Sequence, residues 1–220
     1  MSQTLHTFSS EEYSDIAERM RRSAEPDFSV IIIKKALIPT CNGNGDPVRQ
    51  GYLEKMQAVL LGLKQQRDAG SDIFVWSDAD CLYIRPCADD IIERMADKDA
   101  VFQTNGDGQF GTGFFASRTT DKMIDFWTRI SKEEKWWGPV GWTGFEEWGS
   151  WAHRDEIRHS ILPGDEYWTP CIPLHGQPAP NWSLPTLPKS VRMVHLSCVK
   201  PVDKRRIMSE VESQAAAWRK

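Results

Sequence analysis

The stretch that decides the fold is Ile73-Phe74-Val75-Trp76-Ser77-Asp78-Ala79-Asp80, where an apolar run ends in two carboxylates. Gly70 and Ser71 precede the run and polar residues follow it, a pattern that predicts a buried strand. Sheets of α/β proteins carry their chemistry at the carboxyl ends of such strands. Two carboxylates one residue apart repel each other unless a hard cation lies beside them, and Mg²⁺ or Mn²⁺ has that role with phosphate-bearing substrates. The stretch therefore predicts a site for a substrate that carries phosphates.

The residues before this stretch predict an alternation of strands and helices. Strands are expected at Leu5–Phe8 and Phe28–Ile33, the second because it is rich in β-branched residues. One helix should begin near Ser10 and end at about Ser23. A second, from Tyr52 to Arg67, has apolar residues at helical spacing. This β-α-β-α-β order predicts the first half of a doubly wound sheet.

The residues after the acid pair are less regular. Further elements are predicted as helices at Ala88–Met95, Thr120–Lys132 and Lys204–Trp218, and as strands at Ala100–Gln103, Gly113–Ser117 and Val191–His195. From Lys135 onward, seven of the ten tryptophans lie among many Gly and Pro residues, and helical or strand periodicity is lost. We expect this half to consist of loops and short elements laid over the sheet.

Composition limits the possible functions. A chain of 220 residues with 40% hydrophobic residues can bury one core, so residues 1–220 are predicted to form a single domain. A formal net charge of -4 makes nucleic acid an unfavourable partner. Five cysteines without CxxC spacing argue against a disulfide framework or a zinc knuckle. With no transmembrane segment and no signal peptide in the sequence, we expect a cytoplasmic location.

Three segments resemble motifs of one enzyme class. Asp78-Ala79-Asp80, within Ser77–Cys81, resembles the DxD signature of GT-A glycosyltransferases, which use a metal-bound nucleotide diphosphate sugar. Phe110–Arg118 resembles the segment that faces the donor sugar in those enzymes, with Gly111 in place of the usual Asn. Val194–Pro201 resembles the C-terminal His-to-Lys motif of family 8, the glycogenin-like group, although the spacing is one residue shorter and the motif's Gly is absent.

The resemblance implies an α/β, GT-A-like, Rossmann-type mixed sheet flanked by helices, with a loop-rich half that contains most tryptophans. Residues 1–85 would form the nucleotide-binding half, and residues 86–220 the half for donor sugar and acceptor. It implies Mn²⁺ or Mg²⁺ held by Asp78, Asp80 and His195. Further contacts to the donor are expected from Thr7, Phe8, Lys55, Asp107, Gly111, Thr112, Gly113 and, on the diphosphate, Lys200.

The catalytic group is expected to be one of two adjacent acids, Glu146 and Glu147, which lie between tryptophans. Likeness to family 8 implies retention of anomeric configuration, with the acid stabilising an oxocarbenium-like centre; in an inverting enzyme the same acid would be the general base. Trp142, Trp148 and Trp137 either bind the acceptor, expected to be a glycan, through their faces or fill the core.

Other interpretations remain at this point. A phosphatase of the haloacid dehalogenase type also ends a strand with DxD and binds Mg²⁺, but its nucleophilic Asp normally follows the first strand. A tryptophan-rich carbohydrate-binding protein on a degenerate transferase scaffold would need neither metal nor nucleotide. Gly106–Gly111 fits GxGxxG but precedes a strand, so it does not predict a dinucleotide site. The charges of Lys204–Arg206 are typical of a solvated helix face.

Overall fold

The computed structural model describes residues 3–34, 47–104, 108–133, 145–170, 184–197 and 201–218, with the backbone alone for 47–50, 145, 201 and 202. The strands are β1 Gln3–Ser9, β2 Phe28–Lys34, β3 Ile73–Ser77, β4 Cys81–Tyr83, β5 Ala100–Thr104, β6 Phe110–Arg118, β7 His159–Ile161, β8 Tyr167–Trp168 and β9 Met193–His195. The helices are α1 Ser14–Ala24, α2 Pro47–Asp68, α3 Ala88–Arg94, α4 Asp121–Lys132, α5 Phe145–Ala152 and α6 Pro201–Ala217.

Six strands form a mixed sheet in the order β2-β1-β3-β6-β5-β7. β1 is parallel to both β2 and β3, whereas β6 is antiparallel to β3 and β5. From β1 the chain goes first to β2 on one side and then to β3 on the other. The carboxyl ends of β1 and β3 therefore flank the point where strand order reverses, which is where open α/β sheets bind ligands.

Helices cover both faces of this sheet. On one face, Met56, Val59 and Leu63 of α2 pack with Phe126 and Trp127 of α4. On the other face, buried residues of α1 and α3 pack under the same strands. Burial on both faces explains why β3 is a continuous apolar run rather than an alternating one.

A small second sheet, in the order β4-β9-β8, completes the site region. β4 follows the acid pair directly and pairs antiparallel with β9, so that Cys81 lies opposite His195. Ile207, Met208 and Val211 of α6 pack with Leu82 and Val194 of this sheet. The C-terminal part of the chain is thereby brought back to the end of β3.

The pairing of β5 with β6 is irregular at one place. Phe102 lies opposite Phe115, but the next residue, Gln103, lies opposite Gly111. The residues of β6 between these two partners, Thr112 to Phe114, are therefore out of the regular ladder with β5. Irregularities of this kind re-aim side chains, often beside functional sites.

The predicted strands and helices are present, and four of the labelled elements in the described residues were not predicted: β4, β7, β8 and α5. β6 also begins at Phe110 rather than at Gly113, so both Gly111 and Gly113 lie within a strand. Ser10 is the predicted N-cap, but its side chain makes no capping hydrogen bond. Instead one turn of 3-10 helix, Glu11–Tyr13, precedes α1.

Candidate metal and substrate site

The acid pair is held from two sides by backbone hydrogen bonds. The N–H of Asp78 donates to the carbonyl of Gly113 on β6 at 2.6 Å. The N–H of Leu196, just after β9, donates to the carbonyl of Asp80 at 3.1 Å. The turn that carries both carboxylates is thus fixed to both sheets.

His195 approaches both carboxylates from β9. Its Nε2 lies 3.5 Å from Oδ1 of Asp80 and 3.9 Å from Oδ2 of Asp78, and the side chain is almost fully buried. The imidazole lies against the α-carbon of Gly113, where an added Cβ would be only 1.9 Å from the ring. Any larger residue at position 113 would displace the histidine, so this glycine is required by a close approach.

Gln103 determines which ring nitrogen of His195 carries hydrogen. The amide nitrogen of Gln103 donates to the carbonyl of Tyr167 at 3.1 Å, which turns the amide oxygen toward Nδ1 of His195 at 2.9 Å. An amide oxygen only accepts, so Nδ1 donates and a neutral imidazole has its lone pair on Nε2. In the neutral imidazole that lone pair faces two carboxylates, which is repulsive unless a cation lies between them; with a proton on Nε2 the ring would instead donate to Asp80.

The spacing of these atoms fits a hard divalent cation. An ion with ligands at about 2.1 Å holds neighbouring ligands about 3 Å apart and opposite ligands about 4.2 Å apart. The distances of 3.5 and 3.9 Å from Nε2 to the carboxylates lie between these values. Potential ligand atoms of Asp80, Cys81 and His195 also lie within 4.8 Å of one another. Burial raises the pKa of the Cys81 thiol well above its ordinary value, so the hard carboxylates and the imidazole form the better donor set.

Two buried lysines neutralise the acids. Nζ of Lys55, on α2, lies 3.0 Å from the carboxylate of Asp78, and Nζ of Lys204, on α6, lies 2.5 Å from Oδ2 of Asp80. Burial alone would raise the pKa of Asp80, but the ammonium group of Lys204 holds it well below its usual range. Burial would lower the pKa of Lys55, but Asp78 and other acids raise it above its ordinary value.

Glu146 belongs to the same network. Its Oε1 accepts from Lys55 and from the hydroxyl of Thr112, both at 3.2 Å, while its buried Oε2 has no partner among the described residues. Burial raises its pKa to about 7, which Lys55 opposes and Glu147 reinforces. Glu147 is more exposed and accepts from the N–H of Thr112 at 3.3 Å. Helix α5 therefore places both acids against the irregular part of β6.

An open cleft of about 410 Å³ begins at this cluster. It lies at the carboxyl ends of β1 and β3, the position that the strand order indicates. Its walls combine aromatic rings, small polar groups and the two lysines. The lining residues are Phe8, Ser9, Ser10, Tyr13, Gly51, Tyr52, Lys55, Asp78, Ala79, Asp80 and Lys204.

The structure brings together most of the residues predicted for the site. Asp78, Asp80, His195, Lys55, Thr112, Gly113, Glu146 and Glu147 form one connected cluster, and Phe8 lines the cleft. Thr7 is fully buried, and its hydroxyl has no partner in the described part of the chain. Gly111 lies in β6 opposite Gln103. Asp107, Lys200, Trp137 and Trp142 lie outside the described residues, whereas Trp148 is 46% exposed on α5.

Two residues of the cluster were not predicted. Lys204 was expected on a solvated helix face, but its side chain is only 12% exposed and pairs with Asp80. Gln103 follows three buried apolar residues of β5 and is itself fully buried. A buried amide among apolar neighbours needs partners, so its place in the sequence was an available signal.

The fold of this chain is similar to that of glycosyltransferases of known structure. A glycosyltransferase involved in the glycosylation of the major capsid of PBCV-1 superposes with a TM-score of 0.64 at 9% identity, over 96% of this chain and 100% of that one. The glycosyltransferase GlyE of Streptococcus pneumoniae TIGR4 superposes with a TM-score of 0.57 at 11% identity, over 91% of this chain. Its apo form gives a TM-score of 0.60. This chain spans about half of the GlyE chain, 55% of its length.

At these identities the likeness concerns the fold, and it confirms the predicted mixed α/β architecture. No protein-family model matches the sequence, and no curated protein matches it either. Within the described residues, none of the helices is both long and apolar enough to cross a membrane.

Proposed function

We propose that this protein is a metal-dependent glycosyltransferase that moves a sugar from a nucleotide diphosphate donor to a hydroxyl acceptor, such as a glycan. The observation that carries the proposal is the position of His195, whose Nε2 faces Asp78 and Asp80 beside the cleft. A cation is expected between these side chains. The reversal of strand order predicts a ligand at the same end of the sheet. The fold shared with glycosyltransferases supports the same reaction class.

Asp78, Asp80 and His195 would hold Mn²⁺ or Mg²⁺, which would offset the charge on the departing nucleoside diphosphate. Gln103 keeps the imidazole oriented, and Lys55 forms an ion pair with Asp78. The rings of Phe8, Tyr13 and Tyr52 line the cleft beside the acids and offer surfaces for a nucleotide base.

Glu146 is the better placed of the two predicted catalytic acids. One of its oxygens is fixed by Lys55 and Thr112, and the other has no partner among the described residues. A carboxyl group whose pKa is raised to about 7 can accept and return a proton near neutral pH. It would be the general base for the acceptor hydroxyl in an inverting enzyme, or stabilise the sugar cation in a retaining one.

The two rival functions have less support. A phosphatase of the haloacid dehalogenase type needs a nucleophilic carboxylate after the first strand, but β1 ends in Phe8 and Ser9 and is followed by Ser10. A carbohydrate-binding protein on a degenerate scaffold has no use for a buried histidine oriented toward two carboxylates.

A thermal-shift screen of nucleotide diphosphate sugars with and without Mn²⁺ tests the proposal. A donor present at 100 times its Kd should stabilise the protein by about 2.7 kcal/mol, and only with metal. Asp80→Asn should abolish both this shift and sugar transfer. Asp99→Asn is the matched control, because Asp99 is also a buried, lysine-paired acid but lies away from the cleft with Lys122 and Arg158. Full activity of Asp80→Asn, or of the wild type in chelator, would refute the metal assignment.

Glu146→Gln and Glu147→Gln separate the two acids. Glu146→Gln should lower kcat by about 100-fold or more and remove the change of activity with pH near pH 7. Glu147→Gln should keep that pH dependence. Wild-type kcat in Glu146→Gln would show that this residue is not catalytic.

A further inference from the structure

Lys204 occupies a position that the predicted metal site does not explain. It lies in the first turn of α6, and its Nζ is 2.5 Å from Oδ2 of Asp80 and 5.7 Å from the centre of the Tyr13 ring. The side chain is only 12% exposed, and it forms part of the wall of the cleft. An ammonium group therefore already neutralises one of the carboxylates to which a metal would bind.

A metal ion at Asp80 and this ammonium group are competitors. Oδ1 of Asp80 faces His195 and Oδ2 faces Lys204, so a divalent cation on this carboxylate would repel Nζ or displace it. Removing the partner of a buried charge is strongly unfavourable, because the remaining charge is left without compensation. Metal binding without another anion in the cleft should consequently be weak.

A diphosphate would change this balance. Lys204 lines the same cleft as Asp78 and Asp80, so an ammonium released from Asp80 remains beside the space where a substrate would bind. Diphosphate oxygens are strong acceptors for lysine and would supply the missing partner. The metal would then bind at little cost in lost ion pairing.

We propose that Lys204 is a tethered counter-ion of Asp80 that competes with the divalent metal and makes metal binding depend on the diphosphate. The inference rests on the proposed function and adds a residue that sets the order in which the metal and the diphosphate bind. Because coupling between two ligands is reciprocal, the diphosphate should also bind weakly without metal.

The experiment titrates Mn²⁺ into the full chain, with free Mn²⁺ measured by electron paramagnetic resonance, alone and with inorganic pyrophosphate. A titration of Mn²⁺ into pyrophosphate without protein gives the reference. Wild type should bind Mn²⁺ alone weakly and more tightly with pyrophosphate. Lys204→Met should bind Mn²⁺ alone about 10-fold more tightly than wild type, with a similar loss in the enhancement by pyrophosphate, within the usual range of coupling between sites.

Three further variants complete the design. Lys204→Gln repeats the test with a polar side chain should Lys204→Met fold poorly. Lys204→Arg keeps the charge and should bind Mn²⁺ as wild type does. Arg206→Met removes a cation from the exposed face of the same turn, where Arg206 pairs with Glu210, and should also leave Mn²⁺ binding unchanged.

The outcomes separate the two proposals. If Lys204→Met and Lys204→Gln bind Mn²⁺ no more tightly than wild type while wild type does bind it, the competition is refuted and the metal site stands. If Arg206→Met tightens Mn²⁺ binding as much as Lys204→Met, the effect is one of general charge and the inference is wrong. If no variant binds Mn²⁺ with or without pyrophosphate, the proposed metal dependence itself is refuted.

Discussion

Two buried histidines of this protein have similar packing but opposite polar surroundings. His195 lies against Gly113 and His6 lies beside Gly62, and in each case a Cβ on the glycine would be 3.0 Å or less from a ring nitrogen. Nε2 of His6 lies 3.0 Å from the amide nitrogen of Gln66, which can only donate. His6 therefore also carries its hydrogen on Nδ1, but this Nδ1 has no partner among the described residues.

The difference distinguishes the proposed ligand histidine, His195, from a core histidine, His6. The lone pair of His6 is satisfied by an amide N–H, so nothing remains for a metal. The lone pair of His195 faces Asp78 and Asp80, and its Nδ1 is held by Gln103. Burial and a neighbouring glycine are common to both, so the partners of the two ring nitrogens are the informative feature.

The same substitution at both histidines gives the largest expected contrast. His195→Leu should reduce metal-dependent donor binding and kcat/KM by about 100-fold or more, because it removes a proposed metal ligand. His6→Leu should leave both unchanged. Isothermal titration of Mn²⁺ and initial rates measure the effects. Equal losses in the two variants would show that His195 acts only through packing.

The two glycines give a second matched pair. Gly113→Ala puts a Cβ 1.9 Å from Cε1 of His195, and Gly62→Ala puts one 2.5 Å from Cε2 of Phe74. Each overpacked site should cost about 1–3 kcal/mol of unfolding free energy, which at Gly62 exceeds the roughly 1 kcal/mol that Ala gains in a helix. Only Gly113→Ala should also weaken Mn²⁺ binding. Denaturant titrations with and without Mn²⁺ separate the effects, and unaltered Mn²⁺ affinity in Gly113→Ala would contradict the geometry.

Gln103 should act as a positioning residue for His195. Gln103→Leu leaves Nδ1 of His195 and the carbonyl of Tyr167 without their partner, so metal affinity should fall by about 10- to 100-fold. Gln103→Glu restores an acceptor for Nδ1 and should recover part of the affinity. If both variants bind Mn²⁺ as wild type does, the imidazole does not depend on this contact.

The effect that is smallest at neutral pH comes from the protonation of His6, because it grows only as the pH falls. Burial lowers the pKa of His6 to about 4, so the unfolded chain binds the proton more tightly than the folded one. Stability from this residue is therefore present above pH 6.5 and is lost as the pH falls toward 4, by about 3 to 4 kcal/mol at most. His6→Leu should flatten the curve of unfolding free energy against pH in this window. An unchanged slope would show that His6 does not contribute to acid sensitivity.

Much of the large sheet could be predicted because its elements are long and periodic. Ile73–Ser77 is buried on both faces and has an unbroken apolar pattern, and α4 has apolar residues at regular helical spacing. β4, β7 and β8 have three residues or fewer, too short for periodicity to appear. α5 lies in a segment dense in Trp and Gly, where propensity alone does not indicate a helix.

The residues of the candidate site also divide into those that the local sequence predicts and those that depend on distant contacts. Asp78 and Asp80 follow from local sequence, because a strand end with two acids is a short-range pattern. The partnership of Lys204 with Asp80 depends on the return of the C-terminal helix to the main sheet, and no local pattern reveals it. The orientation of Gln103 toward His195 depends on the irregular pairing of β5 and β6, which is a property of register.

The pairing of β4 with β9 has a consequence for how the molecule is made. Every strand of the large sheet precedes residue 162, whereas His195 arrives with the last strand and Lys204 with the last helix. Since domains are synthesised from the N-terminus and distant pairings form slowly, we expect the sheet to assemble before the cleft acquires its histidine. A nascent chain that reaches only to β7 would therefore hold most of its core but lack His195 and Lys204, and the proposed metal site would be complete only when β9 and α6 dock.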